Sequence, residues 1–310
     1  MANGEKTLKQ IVAIFRSRRW SSVITVALLA LAAPGIGWTE GVLDRIESTG
    51  VFNAGTRADA LPFAYREKKG KKEQLVGFSV DLLGEIHQRL EQRFGRRIAM
   101  KLHETTASNR LEQVASGAID IECGITTPTW ERQKQVDFSI PFFGNGTRIL
   151  ARRTTAKRLE DLRGKRIGVV AGTTTAGILA EYLPDAATVE VPDMDIGFAQ
   201  FERGEIDALS NIGVVLRAKV EKSPLKSKVV LLPRTDDLSY EAMACVLPLN
   251  DSAWRAFVNR ALADLLDGVD EYRGSYIEIY ERWFGPRGAI YFPLDYTIAQ
   301  RLAASLIWLK

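Results

Sequence analysis

Beyond residue 40 the apolar positions switch repeatedly between the short runs of a strand and the three-to-four-residue spacing of a helix. Val51-Phe-Asn-Ala-Gly55 reads as a first strand. From Ser79 to Phe94, the side chains of Val80, Leu83, Ile86, Leu90 and Phe94 fall on one helical face, and Gly95 supplies the stop. Ile98 to Leu102 predicts a strand, Asn109 to Ser116 a helix and Ala118 to Glu122 another strand. This βαβ rhythm predicts an α/β protein with largely parallel sheets. Farther on, Ala253 to Leu266 and Tyr276 to Phe284 read as amphipathic helices, the second rich in aromatic residues. The segment from Ile290 to Lys310 is moderately apolar at Leu302, Ile307, Trp308 and Leu309 and carries no functional reading.

Two stretches 87 residues apart share one spacing. Leu111-x-x-Val114-x-x-Gly117-x-Ile119-Asp120 and Phe198-x-x-Phe201-x-x-Gly204-x-Ile206-Asp207 each combine a helical face, a glycine stop and the entry to a strand. The match predicts two similar lobes. Thr147 to Ala151 is a strand with no helix after it, and Tyr240 to Leu247 is another. Read as crossings, they make residues 39–147 and 242–310 a discontinuous lobe 1 and residues 148–241 lobe 2. The two crossings would then form a hinge, with ligand bound in the cleft.

The 310 residues are 46% hydrophobic and 26% charged, which excludes a disordered, collagenous or polytopic membrane chain and leaves room for two cores. A net charge of +4 would suggest an anionic partner, so its location matters. Lys6, Lys9, Arg16, Arg18 and Arg19 stand against Glu5 at the front, and the rest of the chain is balanced. No nucleic-acid partner is therefore expected. The apolar run Val23 to Ala33 and then Pro34-Gly35 follow, the grammar of an export signal. A spanning helix needs roughly 20 apolar residues, which makes a membrane anchor the weaker reading. The residues before Pro34 leave open whether the leader is cleaved, and no cysteine in this stretch supports lipid anchoring. Residues 1–38 are read as a leader outside the fold.

Cys123 and Cys245 are the only cysteines. In an exported chain such a pair is readily oxidised, and the crosslink would stabilise by roughly 4–5 kcal/mol in the chain-entropy model. Two buried free thiols are the other reading. With His87 and His103 they make no metal-ligand spacing, and neither metal nor cofactor is expected.

Several ordered motifs now combine. They are Gly55-Thr-Arg57 with Leu61-Pro-Phe63, Val76-Gly-Phe-Ser-Val-Asp81, and Cys123-Gly-Ile-Thr-Thr127 leading to Glu131-Arg-Gln-Lys134 and Val136-Asp-Phe-Ser139. Lys165-Arg-Ile-Gly-Val169 with Gly172-Thr-Thr-Thr175, and Tyr280-Glu-Arg-Trp-Phe-Gly285, complete them. Over about residues 42 to 294 the chain resembles the family 3 solute-binding proteins of ABC transporters. The resemblance implies a type II periplasmic binding protein fold, two α/β lobes joined by two crossing hinge strands. It also implies a polar amino acid as ligand, ABC permease subunits as partners, a monomer and a periplasmic location. Ser108-Asn-Arg110, Glu122-Cys-Gly124 and Glu241 to Cys245 are similar to the glutamate/aspartate-binding branch, to which both cysteines belong.

A carboxylate taken out of water calls for a charge-assisted, bidentate partner, and a guanidinium supplies one. Arg132 matches the family's carboxylate clamp, with Thr126 or Thr127 donating beside it; a solvated helix-end arginine is the bland reading. Arg57 stands where glutamate/aspartate binders resemble this sequence in having arginine, which implies a second carboxylate. With Arg110 as a third cation in the cleft, a neutral ligand would leave charge under-compensated. Arg110 could instead pair with Glu112 or Glu104 at the surface. The Thr173-Thr174-Thr175 turn precedes a helix from Ala176 to Leu183, so it can receive an anion or merely cap the helix. Ser108, Ile125, Met194, Asp195 and Asn211 complete the expected ligand-binding set. Phe63 and Phe78 read either as cleft walls or as core, and Trp283 with Phe284 as a stacking surface or a helix-end anchor.

The chain departs from the family where the ligand's ammonium is usually held. Eight residues after Gly204, Ile212 stands in place of an aspartate. Met194 replaces a histidine of the branch, with Asp193 and Asp195 beside it as candidates to pair an ammonium, and Ile125 and Ala107 replace serines. The leading expectation is a non-catalytic protein that closes around glutamate or aspartate. The alternatives are another polar amino acid, a dicarboxylate without an amine, a sensor module, or a dehydratase-like enzyme on the same fold with Glu122 and Glu241 as acid-base candidates.

Overall fold

A computed structural model describes residues 40–70 and 72–307, so the leader, Trp308 and Leu309 lie outside the described residues. Lobe 1 begins with α1 (Val42–Thr49) and β1 (Val51–Arg57). A small antiparallel sheet of β2 (Asp59–Ala60), β3 (Ala64–Lys69) and β4 (Lys72–Val76) follows, then α2 (Phe78–Phe94), β5 (Ala99–Thr105), α3 (Arg110–Ala115), β6 (Ile121–Glu122) and β7 (Val136–Asn145). Lobe 2 holds β8 (Thr147–Arg152), β9 (Arg166–Val170), α4 (Thr175–Tyr182), β10 (Ala187–Val191), α5 (Met194–Arg203), β11 (Ala208–Ile212), α6 (Gly213–Glu221) and β12 (Val229–Leu232). The chain returns through β13 (Glu241–Pro248) and ends with α7 (Ser252–Leu265), α8 (Ser275–Phe284) and α9 (Tyr296–Ala304).

The sheets run β5-β1-β6-β13-β7 and β10-β9-β11-β8-β12. In each, one strand is flanked by two parallel neighbours, and the remaining pairings are antiparallel. The sheets are therefore mixed, not largely parallel as the rhythm suggested. Apolar periodicity locates a strand but carries no information on its direction.

The internal repeat occupies equivalent places. Gly117 and Gly204 adopt φ values of 75° and 78°, the left-handed conformation of a helix stop. Asp120 gives its amide to the carbonyl of Asn53, and its carboxylate accepts the Asn53 amide at 2.7 Å. Asp207 repeats both bonds with Arg166, the carboxylate accepting at 2.9 Å. Each aspartate thus clamps the start of its new strand to the neighbouring parallel strand.

The largest apolar cluster runs from lobe 1, where most of its aromatic residues lie, into lobe 2. Helix α2 buries Phe78, Leu82, Leu83, Ile86 and Leu90, while Val80 and Phe94 are only half-buried, so its apolar face is rotated from the expected one. Phe63, Phe78, Phe143, Tyr280 and Phe284 are buried together, with Phe63 edge-on to Phe143 at 4.8 Å between centroids. Phe63 and Phe78 are core residues, as the second reading had it. Trp283 donates its indole N–H to Asp81 at 2.7 Å, anchoring α8 to α2. Helix α9, for which the sequence suggested no role, packs against β7 and buries Ile298, Ala299 and Leu302.

Cys123 and Cys245 form a disulfide within lobe 1, which rules out the free-thiol reading. The two crossings touch. The Thr147 amide donates to the Ser239 hydroxyl at 3.2 Å, and a Cβ on Gly146 would lie 1.9 Å from the Ser239 carbonyl oxygen. Only glycine fits at Gly146 without moving the other strand.

Candidate functional site

Three cations meet where the lobes face each other. Arg57 is the last residue of β1 and Arg110 the first of α3, and each is only 1% exposed. Arg132 opens a one-turn helix after the Thr127 loop and is half-buried. Arg132 donates to the Thr127 carbonyl at 2.6 Å and to the Gly172 carbonyl, across the cleft, at 2.9 Å. Arg110 donates to the Ala107 carbonyl and, at 3.3 Å, to the same Gly172 oxygen. Gly172 adopts a φ of 74°, and a Cβ there would lie 2.6 Å from the Ala107 oxygen, so a glycine sets how closely the lobes approach.

Arg57 has a different partner. Its Nε and Nη2 donate to the two carboxylate oxygens of Asp59 at 2.9 and 2.7 Å, a bidentate pair. Asp59 also accepts the amide of Met194, the first residue of α5 in lobe 2, at 3.0 Å. Glu241 accepts hydroxyl hydrogen bonds from Thr127 and Thr147 at 2.8 and 2.7 Å, from Ser239 at 3.2 Å, and from Thr174 across the cleft. Glu122 accepts from Thr126 at 3.0 Å, and its other oxygen, Oε1, has no partner. Arg57 Nη1, Arg110 Nε and Asn211 Nδ2 are likewise buried without partners.

Burial pushes the Arg110 guanidinium down to about 9, against the attraction of Glu122, and the neighbouring Arg57 and Arg132 charges add to the drop. Burial also lowers Arg132, opposed by Glu241 and Glu122. For Glu122, burial raises the carboxyl above its ordinary value despite Arg110 and the Thr126 hydroxyl. Burial works against the Asp59 carboxylate too, but the Arg57 charge and hydrogen bonds with the Met194 amide outweigh it and hold the carboxyl below the usual range. Three guanidinium groups thus share the site with three carboxylates, and only Arg57 is hydrogen-bonded to one of them.

Of the expected residues, Arg57, Arg110, Ile125, Thr127 and Arg132 of lobe 1 line one small pocket with Thr173, Thr174, Thr175 and Asn211 of lobe 2. The pocket measures about 10 Å³, room for about one water. Ser108 is exposed and hydrogen-bonds Thr106, and Thr126 is turned to Glu122. The Met194 side chain is buried in the core, leaving only its amide for the cleft. Asp195 is exposed and paired with Lys219, and Asp193 accepts the Ile196 amide at 2.7 Å as the cap of α5. The first turn of α5 directs both carboxylates away from the pocket, so neither supplies the missing ammonium partner. Surface pairing of Arg110 also fails, because Arg110 is buried and Glu104 is taken by Arg66.

Glu241 and Ile212 line the pocket although the expected binding set omitted them. Asp59 was missed as well. Its signal was present, since two residues along extended chain return a side chain to the same side, placing Asp59 beside Arg57.

Residues 52–286 match the family described as bacterial extracellular solute-binding proteins, family 3. The L-glutamate/L-aspartate-binding protein of Pseudomonas aeruginosa is 28% identical over 297 residues, covering 91% of this chain and 95% of that protein. The glutamate/aspartate import solute-binding protein of Salmonella typhimurium is 30% identical, covering 83% of each chain. An ancestral arginine-binding protein solved bound to arginine is 29% identical with a TM-score of 0.65, covering 76% of this chain and 99% of that one.

Proposed function

The chain belongs to the bacterial extracellular solute-binding proteins, family 3, and on that footing we propose that it captures glutamate or aspartate in its cleft and presents the closed form to an ABC permease. It is an amino-acid binder of a transport system and not an enzyme, in keeping with relatives named for binding and import. Arg132 and Arg110 take the ligand's α-carboxylate from lobe 1, and Arg57 takes the side-chain carboxylate. The Thr173–Thr175 turn closes over the ligand from lobe 2. The ammonium falls to Glu241, the carboxylate that lines the pocket. Closure is driven by contacts that only the closed state makes. The basic and apolar leader carries the monomeric protein out of the cytoplasm, to the periplasm of a cell with an outer membrane.

One observation carries this reading. Arg110 and Arg132 both point at the neutral carbonyl of Gly172, and neither is bonded to a carboxylate. A ligand carboxylate inserted there replaces a neutral acceptor with a charged one and turns a charge-assisted bond into an ion pair. Titration calorimetry with glutamate, aspartate, glutamine, arginine and succinate is the test. Heat with the two acidic amino acids alone supports the reading, whereas binding of arginine alone would refute it. A second reading, a neutral polar amino acid, is favoured by the Arg57–Asp59 pair, which already balances one cation; glutamine would then bind as tightly as glutamate.

A further inference from the structure

Asp59 does inside the protein what a ligand carboxylate would do. Its two oxygens fill the fork of Arg57, and one of them also accepts the Met194 amide at the start of a lobe 2 helix. The carboxylate is thereby bonded to both lobes at once, at the edge of the pocket that Arg57 lines. A lone strut within lobe 1 would not reach Met194, and a lone helix cap would not need Arg57. The remaining nitrogen of Arg57, Nη1, is buried with no acceptor. One guanidinium face is thus spoken for, and another lacks a partner.

We propose that Asp59 is an internal stand-in for a ligand's second carboxylate: it latches the lobes together and makes an acidic side chain compete for Arg57. This rests on the reading of the pocket as an amino-acid site. Two consequences follow from the geometry. A side-on bidentate bond through Nε and Nη2 requires Asp59 to swing away, and a carboxylate on the other face, Nη1 with the second Nη2 hydrogen, is held beside the Asp59 charge and repelled by it. A neutral side chain that accepts from Nη1 meets neither the exchange nor the repulsion. Asp59 is therefore the residue that discounts acidic ligands against neutral ones of the same shape, a repulsive element built beside an attractive one.

Asp59→Asn keeps the size and one acceptor oxygen but removes the charge, and Asp59→Ser serves as a second variant if the first folds poorly. Calorimetry on wild type and variant should show the glutamate-to-glutamine affinity ratio rising at least about fivefold in the variant. Small-angle scattering without ligand should show a larger radius of gyration in the variant, because the Met194 bond is weakened. An unchanged ratio together with unchanged scattering would overturn the proposal, as would a ratio that falls. If no amino acid binds either protein while the variant still opens, the pocket reading fails and the latch stands.

Discussion

The Thr174 hydroxyl donates to the Glu241 carboxylate, bonding the turn that opens α4 to the strand that re-enters lobe 1. The same carboxylate receives hydroxyls from Thr127, Thr147 and Ser239, so lobe 1, lobe 2 and both crossings are tied to one side chain that is 4% exposed. Removing it leaves the buried Thr147 hydroxyl and three half-buried ones without this acceptor. Glu241→Ala should lower stability by about 2–3 kcal/mol in urea denaturation, and Glu241→Gln by less, since one acceptor remains.

Arg132 donates two charge-assisted bonds from one fork, and it is only half-buried. Lysine cannot reproduce the fork. Arg132→Lys is expected to weaken amino-acid binding by about 2–5 kcal/mol while the thermal midpoint moves little, read by calorimetry and by a melting curve. A midpoint that collapses while affinity holds would show that the residue serves the fold.

Gly172 touches the Ala107–Ser108 backbone across the cleft. A methyl group there has no room in the closed arrangement and none is needed in an open one. Gly172→Ala should therefore reduce affinity, enlarge the ligand-saturated protein in small-angle scattering, and add a modest left-handed backbone cost of about 1 kcal/mol.

The disulfide joins two lobe 1 residues, and neither of them lines the pocket. Replacing Cys123 and Cys245 with serine should cost roughly 4–5 kcal/mol of stability in the chain-entropy model and leave the ligand preference intact. Denaturation and calorimetry on the double variant separate the two effects.

The carboxyl of Asp59 is held below its ordinary value, so its bonds contribute fully above the unfolded value near pH 4 and are lost as pH falls through the lowered one. Acid titration of the wild type should show stability falling below about pH 4. The Asp59→Asn variant should show a smaller loss over that window.

Much of the site could be read in the chain because it lies on short motifs whose spacing brings neighbours together. Thr127 and Arg132 sit on one loop, and Thr173 to Thr175 sit on one turn. Long-range choices were less legible. Nothing local says that Glu104 belongs to Arg66 and leaves Arg110 to the cleft, because that pair joins residues 38 apart. Asp195 beside Met194 looked available, but the cap of α5 fixes a helical phase that points it to Lys219. The aspartates ending the two repeats were visible as a pattern, whereas their shared bonding to Asn53 and Arg166 required the sheets.

The adjacency of Gly146 and Ser239 also constrains motion. A body pinned at two neighbouring points swings about the line through them, like a door on its pins, and does not slide. In the proposed opening, one such swing would withdraw the Gly172 oxygen from Arg110 and Arg132 together and part Met194 from Asp59, making release a single concerted gesture from the side away from the pins.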